Sequence, residues 1–323
     1  MSIILPVYNA AEYLPEALDG IFAQAFPDFE VLAIDDCSTD ESLSILRSVR
    51  DPRFRVAANP TNLGAYATCN VAIQMARGRL VANHDADDVS HPERLARQVG
   101  WLDRHPDIAL VGTNAEVIDG QGRVLDVNRC NLEPSAINWA LHLKNPITHS
   151  TICARREALL GVGLYDEQFV IAGDYDLFHR MVRSGYRIAN LPEYLVRYRV
   201  HPQGGSQRRP AHLTTEAGAI AKAAVRYHLP EESDEAITGF VHAYLFKSAR
   251  SLREQVAAHR LLIRLLRHFL SRERPSPTAR RQIYRWTLGR SAVVLGAHLS
   301  GAARPFLRRL FRRGRRAFRG DQW

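Results

Sequence analysis

At 323 residues, 46% hydrophobic and 24% charged, the chain has the composition of an ordinary globular protein, large enough for one big domain or a domain plus an appendage. Its net charge of +9 suggests nucleic acid until it is located: Ala303 to Trp323 holds eight arginines and one acid, a net of +7, which leaves only +2 on everything before it. Four cysteines, Cys37, Cys69, Cys130 and Cys153, are scattered without a C-x-x-C pair, which argues against a zinc ribbon or a disulfide framework and fits a reducing compartment.

Apolar runs that read as strands cover Ser2 to Val7, Phe29 to Ile34, Phe54 to Ala57, Arg79 to Ala82 and Ile108 to Gly112. Helical periodicity falls between them at Ala11 to Gln24, Asp40 to Val49, Ala65 to Ala76 and Pro92 to Arg104. This alternation predicts an α/β domain with a mainly parallel sheet. The second helix is expected to open on a capping box, Ser38 with Glu41. Strand-like sequence from Ser2 leaves no room for a signal peptide, and no stretch reaches the roughly 20 apolar residues of a membrane span, so the expected compartment is the cytoplasm.

From about Ala115 to Ser206, short strand-like runs mix with a turn at Asp119-Gly120-Gln121-Gly122 and a helix around Asp174 to Ser184. After Gly204-Gly205-Ser206 the character changes to Ala- and Leu-rich helix, at Ala217 to His228, Asp234 to Arg250 and Gln255 to Phe269, followed by a Pro275-Ser276-Pro277 break. The expected division is a domain over residues 1–206, a helical extension over 207–302 and a tail over 303–323. In the tail, Leu307, Leu310, Phe311, Gly314 and Phe318 repeat at helical spacing with arginines on the other face. Such a basic amphipathic helix is expected to lie on an anionic membrane surface; the alternative is a disordered basic tail. Nucleic-acid binding is disfavoured, because no recognition motif accompanies the charge.

The chemistry concentrates at strand ends. Ala82-Asn83-His84-Asp85-Ala86-Asp87-Asp88 places three carboxylates just beyond an apolar strand, and Asp35-Asp36 ends another. In open α/β sheets ligands sit in the crevice outside the carboxyl ends of the strands. Mg²⁺ and Mn²⁺ take hard oxygen ligands, and Mg²⁺ uses few protein carboxylates when phosphates supply the rest. A D-x-D match alone is weak, since loop and cap aspartates are common and the chain holds a second at Asp174 and Asp176.

Taken in series, these residues resemble glycosyltransferase family 2, the inverting nucleotide-sugar-dependent enzymes with the GT-A fold. The matching residues span about two thirds of the chain: SIILPVYNA at the start, Asp35 to Asp40, the Asn62-Leu63-Gly64 turn, Asp85 to Asp88, then Asn145-Pro146 with His149-Ser150, Gly163 to Glu167, Gly173 to Leu177 and Tyr198-Arg199-Val200-His201. The resemblance implies a GT-A sheet flanked by helices with a C-terminal helical extension. Pro6, Tyr8 and Asp36 would then lie around the nucleobase, with Asn9 and Asn62 beside them. Asp87 would lie near the ribose, with Asp85 either a ribose partner or a support behind it; Asp88 would hold a divalent cation, Mn²⁺ or Mg²⁺, and His201 would be a further contact to metal or diphosphate. Asp174 would be the general base, His149 and Ser150 contacts to acceptor or donor, and Arg199 a phosphate partner.

The implied activity is inverting transfer of a sugar from a nucleotide-diphosphate sugar, UDP first, to a glycan or lipid-linked acceptor of a cell-surface polysaccharide or glycolipid, at the inner face of the membrane. Two departures stand out. Gly173 occupies a position where many members carry Glu or Gln, and Ala67-Thr68-Cys69-Asn70 lacks an arginine common in that helix. The alternatives are a nucleotide-sugar-binding protein without catalysis, which the presence of Asp88 and Asp174 opposes, and a sugar nucleotidyltransferase. The latter would want a Gly-rich loop where Pro6-Val7-Tyr8-Asn9 stands. A dinucleotide oxidoreductase fails for lack of G-x-G-x-x-G after a strand.

Overall fold

The structure is a computed structural model that describes residues 1–248 and 251–296. It divides into two compact units, residues 1–131 with 147–213, and residues 132–146 with 214 onward. The division differs from the sequence expectation chiefly in assigning residues 132–146 to the helical unit. The basic tail at 303–323 lies outside the described residues.

The first unit begins with β1 (Ser2–Val7), α1 (Leu14–Phe22), β2 (Glu30–Asp35), α2 (Ser42–Ser48), β3 (Phe54–Ala58), α3 (Ala65–Met75) and β4 (Leu80–Asn83). The four strands lie in the order β3, β2, β1, β4, all parallel. Near-continuous apolar sequence in β1 and β2 suits strands buried on both faces. Pro6 is tolerated inside β1 because the pairing with β4 ends at Ile4–Asn83, so its missing N–H breaks no ladder bond on that side.

The unit continues with β5 (Val89–Ser90), α4 (Arg94–Arg104), β6 (Ile108–Ile118) and β7 (Val124–Asn128). A 3₁₀ turn at His149–Thr151 leads to β8 (Cys153–Arg155), α6 (Arg156–Gly161), α7 (Gly173–Arg183), β9 (Arg187–Arg199) and α8 (Gly205–Arg208); α5 (Pro134–Leu141) belongs to the second unit. The nine-stranded sheet extends from β4 to β8 and β6, then β9 and β5, with β7 on β6. It is mixed: β8 runs antiparallel to both its neighbours, and β6 pairs parallel with β9. Antiparallel pairing of Val89–Ser90 with Arg197–Val196 brings the Asp87–Asp88 loop beside Arg199. The Asp119–Gly122 turn joins β6 to β7, with Gly122 N–H donating to Asp119 O at 3.0 Å.

The expected capping box does not form. Ser38 Oγ accepts from the backbone of Asn9 at 3.0 Å, and Asp40 instead accepts from Ser42 N–H at 3.0 Å, so α2 starts two residues later than expected. Linking the β1 and β2 loops wins over capping because it satisfies an otherwise free loop amide.

The second unit comprises α5, α9 (Pro210–His228), α10 (Asp234–Tyr244), α11 (Leu252–Glu273) and α12 (Pro277–Gly296). Trp139, Phe240, Tyr244, Leu262, Leu265 and Phe269 form its core. Trp139 Nε1 donates to Thr287 Oγ1 at 2.9 Å, and Arg290 donates to the carbonyls of Leu143 and Tyr244, each at 2.7 Å. The excursion 132–146 therefore belongs here because it supplies a tryptophan to this core. No described helix is long and apolar enough to cross a membrane.

Candidate active site

The ends of β1 and β2 form one side of the rim. Asp36 is 3% exposed and accepts three N–H bonds, all 2.8 Å, from Asn59 Nδ2, Leu63 N and Gly64 N. Asn62 Nδ2 donates to Asp36 O at 3.1 Å. Asn9, held at φ 47°, accepts from Thr39 N–H at 2.8 Å through its side chain. Such a left-handed backbone is cheap for asparagine. These polar residues thus clamp two loops together, and about one lone pair of the Asp36 carboxylate remains for a ligand. Tyr8 is 47% exposed beside them, and Pro6 is half-buried.

The other side is the loop after β4, where the carboxylates meet a different environment. Asp88 is 1% exposed; its Oδ1 accepts from Arg199 N–H at 2.7 Å, while Oδ2 has no hydrogen-bond partner. Burial, reinforced by the charges of Asp87 and Asp85, holds the Asp88 carboxyl well above the usual range. Ser150 Oγ, also buried, makes no hydrogen bond of good geometry, but its hydroxyl lies against the Asp88 carboxyl and offsets part of that burial. His201 Nε2 lies 2.9 Å from Asp87 Oδ2, and this contact, working against partial burial, raises the imidazole pKa. The Tyr13 ring stands edge-on to His201 at 4.7 Å.

Arg199, expected to face phosphate, has its donors engaged by the protein. Nε donates to Asp87 O at 2.8 Å, Nη1 reaches Asp119 O and Gly120 O at 3.2 Å, and Nη2 pairs with Glu16. It ties the carboxylate loop to the β6–β7 turn.

Beneath the loop lies a residue that the sequence reading missed. Arg94 is 1% exposed and, among the described residues, has no carboxylate hydrogen-bonded to it; it donates to Asn83 O at 2.7 Å, Ser90 Oγ at 3.0 Å, Gln98 Oε1 at 3.2 Å and Ile152 O at 3.3 Å. Burial pushes its pKa down to about 10. A signal existed, because Arg94 and Gln98 sit four apart on the stripe of Leu95, Val99 and Leu102 that α4 buries. His84, also buried, has Nδ1 2.9 Å from Asp85 O and an unpartnered Nε2, and burial together with nearby Arg94 pushes it down to about 4.

Asp174 lies in the first turn of α7. Burial raises its pKa, partly offset by His149. Tyr66 OH lies 2.6 Å from Ile171 O and 3.4 Å from Asp174 Oδ1, so the shorter contact takes its proton. The departure at Gly173 has a steric explanation: a Cβ there would lie 2.6 Å from the Tyr66 ring. His149 joins this region to the carboxylate loop, with Nδ1 3.6 Å from Asp85 Oδ1 and Nε2 2.9 Å from Tyr165 OH. Tyr66 and Tyr165 stack at 5.2 Å. The structure therefore brings Asp85, His149 and Tyr165 together, with Asp174 reached through Tyr66, and places Asp87 with His201 and Asp88 with Ser150.

Among the described residues no three His, Cys, Asp or Glu side chains converge as a closed metal site. The donor set still fits a cation that completes its shell from phosphates, since Asp88 offers a buried oxygen without a protein partner.

An α/β sheet with carboxylates and an acidic helix N-terminus at its rim is a ligand-binding crevice, and comparison with known proteins identifies the family. Residues 2–161 match the sequence model of glycosyl transferase family 2. The putative glycosyltransferase EpsE of Bacillus subtilis is 30% identical over 236 residues, covering 71% of this chain and 84% of EpsE. The amylovoran biosynthesis glycosyltransferase AmsE of Erwinia amylovora is 26% identical, covering 64% of this chain and 79% of AmsE. The chain belongs to glycosyltransferase family 2 and is a glycosyltransferase.

Solved structures agree on the GT-A fold. S. aureus TarS 1–349 in complex with UDP-GlcNAc superposes with a TM-score of 0.60 at 21% identity, covering 92% of this chain and 90% of that one. The chain spans 55% of the longer TarS structure. The mannosyltransferase PcManGT of Pyrobaculum calidifontis, in complex with GDP-Man and Mn²⁺, gives 0.53 at 18% identity, covering 92% and 85%.

Proposed function

We propose that the chain transfers a sugar, with inversion, from a nucleotide-diphosphate sugar to a hydroxyl of a glycan or lipid-linked acceptor in the building of a cell-surface polysaccharide or glycolipid. The observation that carries this reading is Asp88, a buried carboxylate at the sheet rim whose Oδ2 has no well-formed hydrogen bond and only the nearby Ser150 hydroxyl to offset its burial. Buried polar atoms cost free energy unless a partner completes them, and at a sheet rim a ligand can be that partner. UDP is the favoured nucleotide, supported by the TarS complex, with GDP the alternative that PcManGT supports. The name of AmsE supports a biosynthetic role.

On this reading Tyr8 and Pro6 border the base, and Asp36 shapes its pocket through the Asn62–Gly64 turn. Asp85 and Asp87 serve the ribose side, and Asp88 with His201 would hold a divalent cation. Such a cation supplies Lewis-acid stabilisation of charge growing on the diphosphate. Ser150 donates its hydroxyl towards ligand oxygen, and Arg199 acts by holding the loop. Asp174 accepts the acceptor hydroxyl's proton as that oxygen bonds to the anomeric carbon, and the bond from that carbon to the diphosphate breaks on the opposite face. A carboxyl held above its ordinary pKa is a stronger base for this step. The arginine-rich tail would hold the enzyme at the anionic inner face of the membrane, with each basic residue near the surface worth about 1 kcal/mol.

Thermal unfolding with UDP, dTDP, GDP and CMP, each with and without Mn²⁺, tests the donor site. Ligand at about a hundred times its dissociation constant adds roughly 2.7 kcal/mol, a shift of several degrees. A metal-dependent shift with one nucleotide is expected; no shift with any of them overturns the donor-site assignment.

A further inference from the structure

Charge is divided along this chain into opposite blocks. Residues 251–296, which hold α11, α12 and the link between them, carry ten arginines and two glutamates, a net of +8; with the +7 of the tail, this leaves residues 1–250 net acidic, at −6. Packing accounts for few of the ten. Arg290 is buried and donates to the carbonyls of Leu143 and Tyr244. Arg264 pairs with Glu231 at 3.6 Å and with Glu232, and Arg272 lies over the Tyr227 ring at 5.8 Å. Arg253, Arg260, Arg267, Arg280 and Arg281 are exposed and, among the described residues, have no carboxylate within ion-pair distance.

These arginines are interleaved with apolar side chains that the fold leaves in water. α11 buries Ala258, Leu262, Leu265 and Phe269 in the core of the helical unit. On its opposite side Leu252, Val256, Arg260, Ile263 and Arg267, all exposed, fall within an arc of about 80° at about 100° per residue. Both glutamates of the segment, Glu254 and Glu273, lie outside that arc. α12 repeats the arrangement: Ala279, Ile283 and Trp286 are buried, while Arg280, Arg281, Tyr284 and Leu288 share an exposed arc of about 100°. Leu252 and Leu288 are 63% and 67% exposed. At the start of α12, Pro275, Pro277, Arg280, Arg281 and Tyr284 line an open concavity of about 470 Å³, large enough for a phosphodiester headgroup.

We propose that the outward faces of α11 and α12 are a docking surface for an anionic phospholipid bilayer, a contact with the membrane that does not depend on the tail. Exposed aliphatic side chains gain free energy by entering an apolar layer, and unpartnered guanidinium groups gain by meeting phosphate. The boundary between headgroups and acyl chains offers both, with arginine stems lying along the apolar side and their heads among the phosphates. A nucleic acid would satisfy the charge and leave Leu252, Val256, Ile263 and Leu288 in water. The helices would lie on the bilayer and not through it, since neither is apolar enough to span. Residues 1–250, being net acidic, cannot supply this attraction. The surface stands apart from the donor-site reading and does not rest on it.

The test separates this surface from the tail. Vesicles of phosphatidylglycerol with phosphatidylcholine, and of phosphatidylcholine alone, are titrated into the full-length chain with Arg308, Arg309, Arg312, Arg313, Arg315 and Arg316 each replaced by Gln. This chain is expected to bind the anionic vesicles and not the neutral ones, more weakly as salt rises. In that background, Arg260→Gln with Arg267→Gln, or Arg280→Gln with Arg281→Gln, should weaken binding about twenty- to thirtyfold for each pair, roughly fivefold per arginine. Leu252→Ser with Leu288→Ser should weaken it at least about tenfold with the charge unchanged. All the substituted helix side chains are exposed, so the unfolding temperature should hold, and vesicle binding reads the surface whether or not the donor-site assignment stands.

Loss of anionic-vesicle binding in the tail-substituted chain, or binding unmoved by the changes in α11 and α12, overturns the proposal. Binding that depends on the arginines but not on the leucines, and that duplex DNA matches, would make these faces a polyanion surface. Self-association abolished by Leu252→Ser with Leu288→Ser, without vesicle binding, would assign them to a second copy of this chain. Either of these outcomes also overturns the membrane assignment.

Discussion

The two sides of the rim use the same residue types differently, although each buries one carboxylate oxygen without a partner, Asp35 Oδ1 after β2 and Asp88 Oδ2 after β4. At the ends of β1 and β2, Asp36 and Asn9 direct their polar atoms into neighbouring backbone, so the loops that frame the crevice are clamped before any ligand arrives. After β4, Asp88 is equally buried yet keeps one oxygen unpartnered, and its proton affinity is raised. A carboxylate whose oxygens all find donors stabilises the fold, whereas one left partly unpartnered costs stability. Substitutions on the two sides should therefore separate into losses of stability and losses of function.

The largest effect is expected on the functional side. Asp174→Asn should lower turnover by about 10² to 10⁴, the span over which a positioned base acts. Donor affinity and unfolding temperature should hold, because the amide keeps the shape and removes a costly buried charge. Comparable losses in affinity or melting temperature would place Asp174 with the clamping residues and erase the distinction.

The next effect appears in the pH dependence of stability. His84 is buried and neutral down to about 4, whereas in the unfolded chain it protonates near 6.5. Between those values the unfolded state binds more protons, so this residue's contribution to stability falls as pH drops through the window, by about 3 kcal/mol in full. Asp88 and Asp174, with raised folded pKa values, act with the opposite sign. The difference between wild type and His84→Gln is therefore the readout. The variant's urea-unfolding free energy should gain on wild type as pH falls from 6.5 towards 4, and parallel curves would refute the assignment.

How much of this was legible depended on whether a residue's role is local. The strands of the first half follow from apolar runs bounded by turn residues, and the carboxylates at their ends follow from strand register. The capping box failed because Ser38 found a partner 29 residues away, a contact that no local pattern encodes. Arg94 and Tyr66 escaped for the same reason, since each matters through contacts with segments far along the chain. Gly173 looked like a missing group in the sequence; only the Tyr66 ring lying against it reveals a packing requirement. The helical unit was legible in its periodicity but not in its membership, because 132–146 joins it through Trp139.

On the clamping side, Asp36→Asn exchanges a carboxylate accepting three N–H bonds for an amide whose NH₂ must face donors. Losing at least one charge-assisted bond and leaving a donor unmatched should cost about 2 kcal/mol, several degrees of melting temperature. Nucleotide affinity should weaken as the Asn62–Gly64 turn loosens. An unchanged melting temperature would show that the turn holds without the carboxylate.

The smallest expected change in stability is the most informative for the comparison. Asp88→Asn retains an acceptor for Arg199 N–H and relieves a buried carboxylate crowded by Asp87 and Asp85, so the unliganded protein should unfold at the same temperature or up to about 1 kcal/mol more stably. The Mn²⁺-dependent stabilisation by nucleotide should meanwhile disappear. A stability loss like that of Asp36→Asn would mean that the unpartnered oxygen is a structural element and that the two sides of the rim do not differ in kind. Equal stability with binding lost would identify Asp88 as a group whose second partner is the ligand itself.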